Sequence, residues 1–224
     1  MEQELGHPAT AGAASAPEEH GMINLSAAPM TWVATGDSIT QAVLHTHGAR
    51  GWVEHLQERV RWQLDRLTDV VVNTGVSGWR AVDVLASHEH LIGRFAPDVL
   101  SISLGTNDAR AGLAGLAEFH DAMHQLIDRT GTDAQIVLHT PVLVSVAGRE
   151  ARGALPAYAQ AVRDIAAETG VLLVDHEAYW NAHFDGADPI AWLDDPAHPN
   201  AAGHLQMAEH TLRTLGLGAL EPRT

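Results

Sequence analysis

The amino-acid sequence predicts a three-layer α/β/α domain built on a five-stranded parallel sheet. Three observations carry that prediction. Five short runs, Thr31–Thr35, Val70–Asn73, Val99–Leu104, Gln135–Thr140 and Val171–Asp175, are almost continuously apolar, as strands covered on both faces are. Amphipathic stretches separate them, and strands joined through helices lie side by side with helices on both faces. The chain of 224 residues, 46% of them hydrophobic, suits a single well-buried core.

The connecting helices are expected over Trp52–Leu67, about Ala81–Gly93, Leu113–Arg129 and Pro156–Thr169, with a last one from about Ala201 to Leu215. Trp52, Leu56, Val60 and Leu64 recur at helical steps, so they share one face. Gly131 and Gly170 stand where C-terminal caps fall. Residues 1–28 are rich in Ala, Gly, Pro and Glu without periodicity and read as a disordered arm preceding a domain at 29–224. The chain holds no internal repeat.

Composition narrows the function. The net charge is -15 and only 13 Lys and Arg are present, which argues against a nucleic-acid partner, because phosphate binding needs clustered cations. There is no cysteine, so disulfides, thiolate nucleophiles and cysteine-held zinc are excluded. The N-terminus lacks the basic and apolar regions of a signal peptide, and no run approaches the ~18 apolar residues of a membrane span. A cytoplasmic protein is expected, or a secreted one if a leader had been removed.

In open parallel sheets, ligands bind outside the carboxyl ends of the strands. Gly36-Asp37-Ser38-Ile39-Thr40 follows the first strand and Asn73-Thr74-Gly75-Val76-Ser77-Gly78 the second. Gly105-Thr106-Asn107-Asp108 follows the third, and Asp194-Asp195-Pro196-Ala197-His198-Pro199-Asn200 precedes the last helix. Taken alone, Ser38 reads first as a turn residue. Together the four segments hold what acyl transfer needs. A serine hydroxyl needs a base, histidine suits that task near neutral pH, and an aspartate can fix its tautomer. Asp195 and His198 stand close enough to lie on one side of a turn. Gly75 allows close approach of a backbone N–H, and the Asn107 amide adds a further donor.

GDSIT, the Gly75 loop, GTND and DPAHPN resemble, in order, the four sequence blocks of the SGNH hydrolase (GDSL-type esterase/lipase) family, over about residues 31–215. The resemblance implies the family's flavodoxin-like fold and ester hydrolysis with no cofactor. It implies Ser38 as nucleophile, His198 as base and Asp195 as its partner, with the Ser38 backbone, Gly75 and Asn107 forming the oxyanion hole. Ile39 departs from the name-giving leucine, a conservative apolar change. The expected substrate is a small-molecule carboxylic ester, of short-chain or O-acetyl type on a carbohydrate or metabolite. An acyltransferase using the same acyl-enzyme and a non-catalytic binder on the same scaffold stand as alternatives.

Other polar residues have plainer readings. Asp37 is expected to order the nucleophile turn and Asp108 the Asn107 loop. Asp194 rivals Asp195 as partner of His198. His45 and His47, like His88 and His90, read as solvated polar residues rather than metal ligands, and no metal site is expected. His204 reads as structural. Trp79, Arg80 and Trp192, with Phe184, could line a substrate pocket, or the aromatics could pack beneath loops and Arg80 could pair with an acidic residue.

Overall fold

In the computed structural model, which describes residues 22–222, the five apolar runs form one parallel sheet. The strands are β1 (Thr31–Gly36), β2 (Val70–Asn73), β3 (Val99–Ser103), β4 (Gln135–His139) and β5 (Leu172–Val174), ordered β2-β1-β3-β4-β5. The helices are α1 (Ser38–Gln41), α2 (Trp52–Gln57), α3 (Ala81–Ala86), α4 (His88–Leu91), α5 (Leu116–Thr130), α6 (Leu155–Thr169), α7 (His176–Phe184) and α8 (Ala201–Thr214). Register pairs Val33 with Val72 on one side and Leu100 on the other.

Alternation along each strand feeds two cores. Val33, Leu100, Ile102 and Leu138 point to one face, where Phe119 and Met123 of α5 and Tyr158 and Ile165 of α6 cover them. Trp32, Ala34, Val99 and Val137 point to the other, beneath Trp52 and Leu56 of α2 and Met207 and Leu212 of α8. Each fully buried large side chain contributes about 1.5–3 kcal/mol. Burial on both faces is why the strands read as unbroken apolar runs.

Several boundaries differ from the sequence expectation. The stretch expected as one helix from Trp52 continues past α2 as a π-helical turn, Glu58–Gln63, which buries Val60 and lets Arg59 Nε donate to Leu217 O at 2.8 Å. The next expected helix breaks at Ser87 into α3 and α4. A 3₁₀ segment, Asp108–Gly115, precedes α5 and kinks at Gly112, whose φ is 64°. Helices α1 and α7 were not expected. The arm expected at residues 1–28 lies outside the described residues as far as position 21, and its last residues join the domain. Ile23 is buried there and donates its N–H to Leu215 O at 3.2 Å, while Asn24 N–H donates to Gln135 Oε1 at 2.7 Å. An apolar side chain seated in the core ties this segment down. No helix among the described residues is long and apolar enough to cross a membrane.

The strand order reverses direction between β1 and β3. The chain leaves β1 to one side for β2, then returns across β1 to β3. Such a switch opens a crevice at the carboxyl edge of the sheet. The loops carrying Ser38 and Asn107 emerge into it.

Candidate active site

Strand β1 ends at Gly36, where a Cβ would overlap Thr40 Oγ1 and the Ser103 carbonyl; only glycine lets β1 and β3 run this close. Asp37 caps α1, its Oδ1 accepting from Ile39 N–H at 2.9 Å. Burial pushes the Asp37 carboxyl up to about 7, against the pull of that N–H. Ser38 is the first residue of α1, and its Oγ lies 2.9 Å from His198 Nε2.

The turn carrying His198 is built by its own carboxylates. An antiparallel bridge between Leu193 and Pro199 closes it, and Asn200 caps α8 by accepting from Gly203 N–H at 3.0 Å. Asp195 Oδ1 accepts from the N–H groups of Ala197 and His198, both at 2.8 Å, and its Oδ2 lies 2.8 Å from His198 Nδ1. One carboxylate therefore shapes the turn and orients the ring. Burial works to raise Asp195, but the two N–H groups and the imidazole outweigh it and hold the carboxyl below its ordinary value. Burial also lowers His198, against the pull of Asp195, which favours the neutral ring. A neutral imidazole beside a serine hydroxyl and an ionised carboxylate is the arrangement that takes a proton from serine.

The carboxylate of Asp194, the rival partner, bonds other rings than His198. Its Oδ2 accepts from His45 Nδ1 at 3.0 Å and its Oδ1 from His47 Nε2 at 2.7 Å. The solvated reading is corrected for His45, whose side chain is 16% exposed, whereas His47 stays exposed as expected while bonding Asp194. The partner is a carboxylate far along the chain, which local spacing does not reveal. His90 is exposed on α4, as expected, but His88 is buried with Nε2 3.3 Å from Thr130 Oγ1, which corrects the solvated reading of that residue. His204 is buried and accepts weakly from Trp52 N–H at 3.4 Å.

Asn107 projects its amide into the crevice edge, donating to Trp79 O at 3.1 Å and, at a long 3.4 Å, to Asp37 Oδ2. Gly75 differs from the expectation. Its N–H is donated to Asn73 Oδ1 at 3.0 Å, and a Cβ would press on Gln41 N and Asp37 O. The glycine thus lets this loop pack against the nucleophile turn. Gly78, three residues on, is exposed with φ 82° and open space around it, and it adjoins the Trp79 carbonyl that holds Asn107. The Val76-Ser77-Gly78 sequence already carried this glycine, but nothing in the spacing ranked it above Gly75. Arg152, which no motif singled out, donates its Nε to Thr106 O at 3.1 Å and acts electrostatically on both Asp195 and Asp37.

The three expected pocket residues make the packing and pairing contacts that were the alternative reading. Trp79 is half-buried against the α3–α5–α6 core. Arg80 is drawn to Glu118 at 3.3 Å and Asp83 at 3.8 Å. Trp192 is buried, stacked on His183 and set edge-on to Trp180 and Phe184. That aromatic cluster adjoins the turn that carries Asp195 and His198. Among the described residues, two groups bring three metal-ligating side chains together: His45, Asp195 and His198, which are bonded within the site, and His120, His124 and Glu168 on the α5–α6 surface.

Residues 34–205 match the GDSL-like lipase/acylhydrolase family. An acetylxylan esterase from Geobacillus stearothermophilus is 31% identical over 159 residues, which cover 65% of this chain and 72% of the relative. The crystal structure of a catalytic mutant of Axe2, an acetylxylan esterase from the same organism, superposes with a TM-score of 0.74 and 27% identity over 87% of this chain and 97% of that one. An alpha/beta hydrolase enzyme from the metagenome of Lake Arreo, Spain, superposes with a TM-score of 0.73 and 25% identity over 86% and 97% of the two chains. The chain belongs to the GDSL-like lipase/acylhydrolase family and is an ester-hydrolysing serine hydrolase with the α/β/α fold of its acetylxylan esterase neighbours.

Proposed function

We propose that the chain removes O-acetyl groups from small carbohydrate esters, with Ser38, His198 and Asp195 as its triad. The observation that carries the triad is the unbroken line from Ser38 Oγ through the imidazole to Asp195, with links of 2.9 and 2.8 Å. The similarity to acetylxylan esterases supports the acetyl group and the sugar. In the structures of that relative, catalytic mutants replace a serine, an aspartate and a histidine.

Ser38 Oγ attacks the acetyl carbonyl as His198 Nε2 takes its proton, and Asp195 stabilises the imidazolium. The tetrahedral oxyanion takes N–H donors from the Ser38 backbone, Asn107 Nδ2 and the Gly78 backbone. Gly78 replaces Gly75, whose N–H is already bonded to Asn73. Asn107 turns to the oxyanion by giving up its long contact with Asp37, which costs little at 3.4 Å. His198 passes its proton to the sugar oxygen as that bond breaks. Water then attacks the acetyl-Ser38 ester, losing a proton to His198, which returns that proton to Ser38 Oγ as the ester bond breaks and acetate leaves.

The test is turnover of acetylated xylo-oligosaccharides and of p-nitrophenyl acetate, butyrate and octanoate by wild type and Ser38→Ala. The expected result is acetate release that fades with acyl length and is lost in Ser38→Ala. Turnover that rises toward octanoate would contradict the acetyl assignment.

A further inference from the structure

Helix α1 ends at Ala42, whose φ of 65° turns the chain back over the catalytic turn. The loop that follows lays the His45 ring flat on His198, with centroids 3.7 Å apart and planes within 5°. We propose that His45, anchored by Asp194, is a positioning residue for His198: it fixes the plane of the imidazole and sets the pH range in which that ring takes a proton. The inference rests on His198 being the general base.

Asp195 grips the imidazole by one edge, which leaves the ring free to tilt about that hydrogen bond. A second ring stacked on its face removes that freedom. His45 is itself fixed, because Asp194 accepts from it and from His47, and Asp194 N–H donates to His198 O at 2.9 Å. The bonds from His47 and His45 hold the Asp194 carboxyl below its ordinary value, so it is an ionised acceptor and both histidines donate to it. The loops of Ser38 and His198 are thereby tied together by side chains 149 positions apart.

The charges around His45 give the pH argument its sign. His45 faces Asp194, Asp195 Oδ2 at 3.8 Å, and His198. His204 lies within its electrostatic reach, and His198 also feels Arg152. For two rings in face contact, positive charge beside His198 disfavours its protonation. Burial comes first in lowering His198, Asp195 opposes it, and His45 adds to the lowering. Without His45, His198 is expected to bind a proton at higher pH and to stop serving as a base there.

The experiment is the pH profile of kcat and kcat/KM on p-nitrophenyl acetate for wild type, His45→Phe, His45→Ala and His198→Ala, with Tm measured for each. His45→Phe keeps a flat ring without a titrating group, and its acid limb is expected to move to higher pH. His45→Ala loses the stack as well, and its plateau kcat is expected to fall about tenfold with KM unchanged. If the His45 variants lose Tm, Asp194→Asn, which preserves the loop's volume, is expected to lower kcat with KM unchanged. A wild-type acid limb in a folded His45→Phe overturns the proposal while an inactive His198→Ala leaves the triad standing. Activity retained in His198→Ala overturns both.

Discussion

His198 and His45 stack on the carboxyl edge of the sheet, whereas His139 and His176 meet inside the fold, with rings 5.3 Å apart and His139 Nδ1 3.1 Å from His176 Nε2. The outer rings each have a carboxylate, Asp195 or Asp194, and stand half-open to solvent. The inner rings are wholly buried, with Trp52 and His210 as ring neighbours, and His139 Nε2 and His176 Nδ1 meet no partner among the described residues. Burial lowers His139 to about 3 and His176 well below its ordinary value. In the proposed mechanism the same side chain is thus a proton carrier at one site, and it is neutral packing at the other. What separates them is an anion within bonding distance and a path to water.

Removing that anion breaks the comparison most directly. Asp195→Asn keeps the shape of the turn but removes the charge that fixes and stabilises the imidazolium. The expected loss in kcat is on the order of 10³- to 10⁴-fold with KM little changed. A loss below tenfold, read by initial rates, would show that His198 works without its carboxylate.

The inner pair answers to pH through stability instead. Below about pH 6.5 the unfolded chain protonates these histidines, while the folded chain keeps His139 neutral down to about pH 3. The unfolded state binds more protons in that window, so stability is complete above pH 6.5 and falls as pH drops. The slope reaches about 1.4 kcal/mol per pH unit for each such ring. His139→Phe is expected to flatten the fall of the urea midpoint between about pH 7 and pH 5 relative to wild type. An unchanged slope would remove the inner pair from the acid response.

The smallest effect sharpens the outline of the outer site. Arg80 pairs with Glu118 across an exposed surface, and such pairs are worth about 0–1 kcal/mol. Arg80→Gln is expected to leave KM for acetyl esters unchanged and Tm nearly so. A severalfold rise in KM at unchanged Tm would return Arg80 to the substrate pocket.

Much of this was legible in the sequence, for reasons the structure makes plain. Both-face burial wrote the five strands as apolar runs, and four short motifs at strand ends and before α8 pointed to Ser38, Asn107, Asp195 and His198. What stayed hidden depends on partners remote in sequence. His45 looked solvated because its partner Asp194 lies 149 positions away. Gly75 and Gly78 look alike in a loop, and only the bond from Gly75 to Asn73 tells them apart. Helix α7 escaped notice because its buried residues include His176 and Glu177 beside Trp180, which blurs any apolar stripe. Arg152 belongs to no motif; only the fold brings its charge to Asp195.

The central claim is that Ser38 carries the acyl group. The most direct measurement is acid-quenched peptide mass mapping of enzyme briefly exposed to p-nitrophenyl acetate, for wild type and Ser38→Ala. One acetyl group is expected on the peptide containing Ser38 in wild type and none anywhere in Ser38→Ala, which also releases no p-nitrophenol burst. An acetyl group on another residue, or undiminished turnover in Ser38→Ala, would contradict that claim.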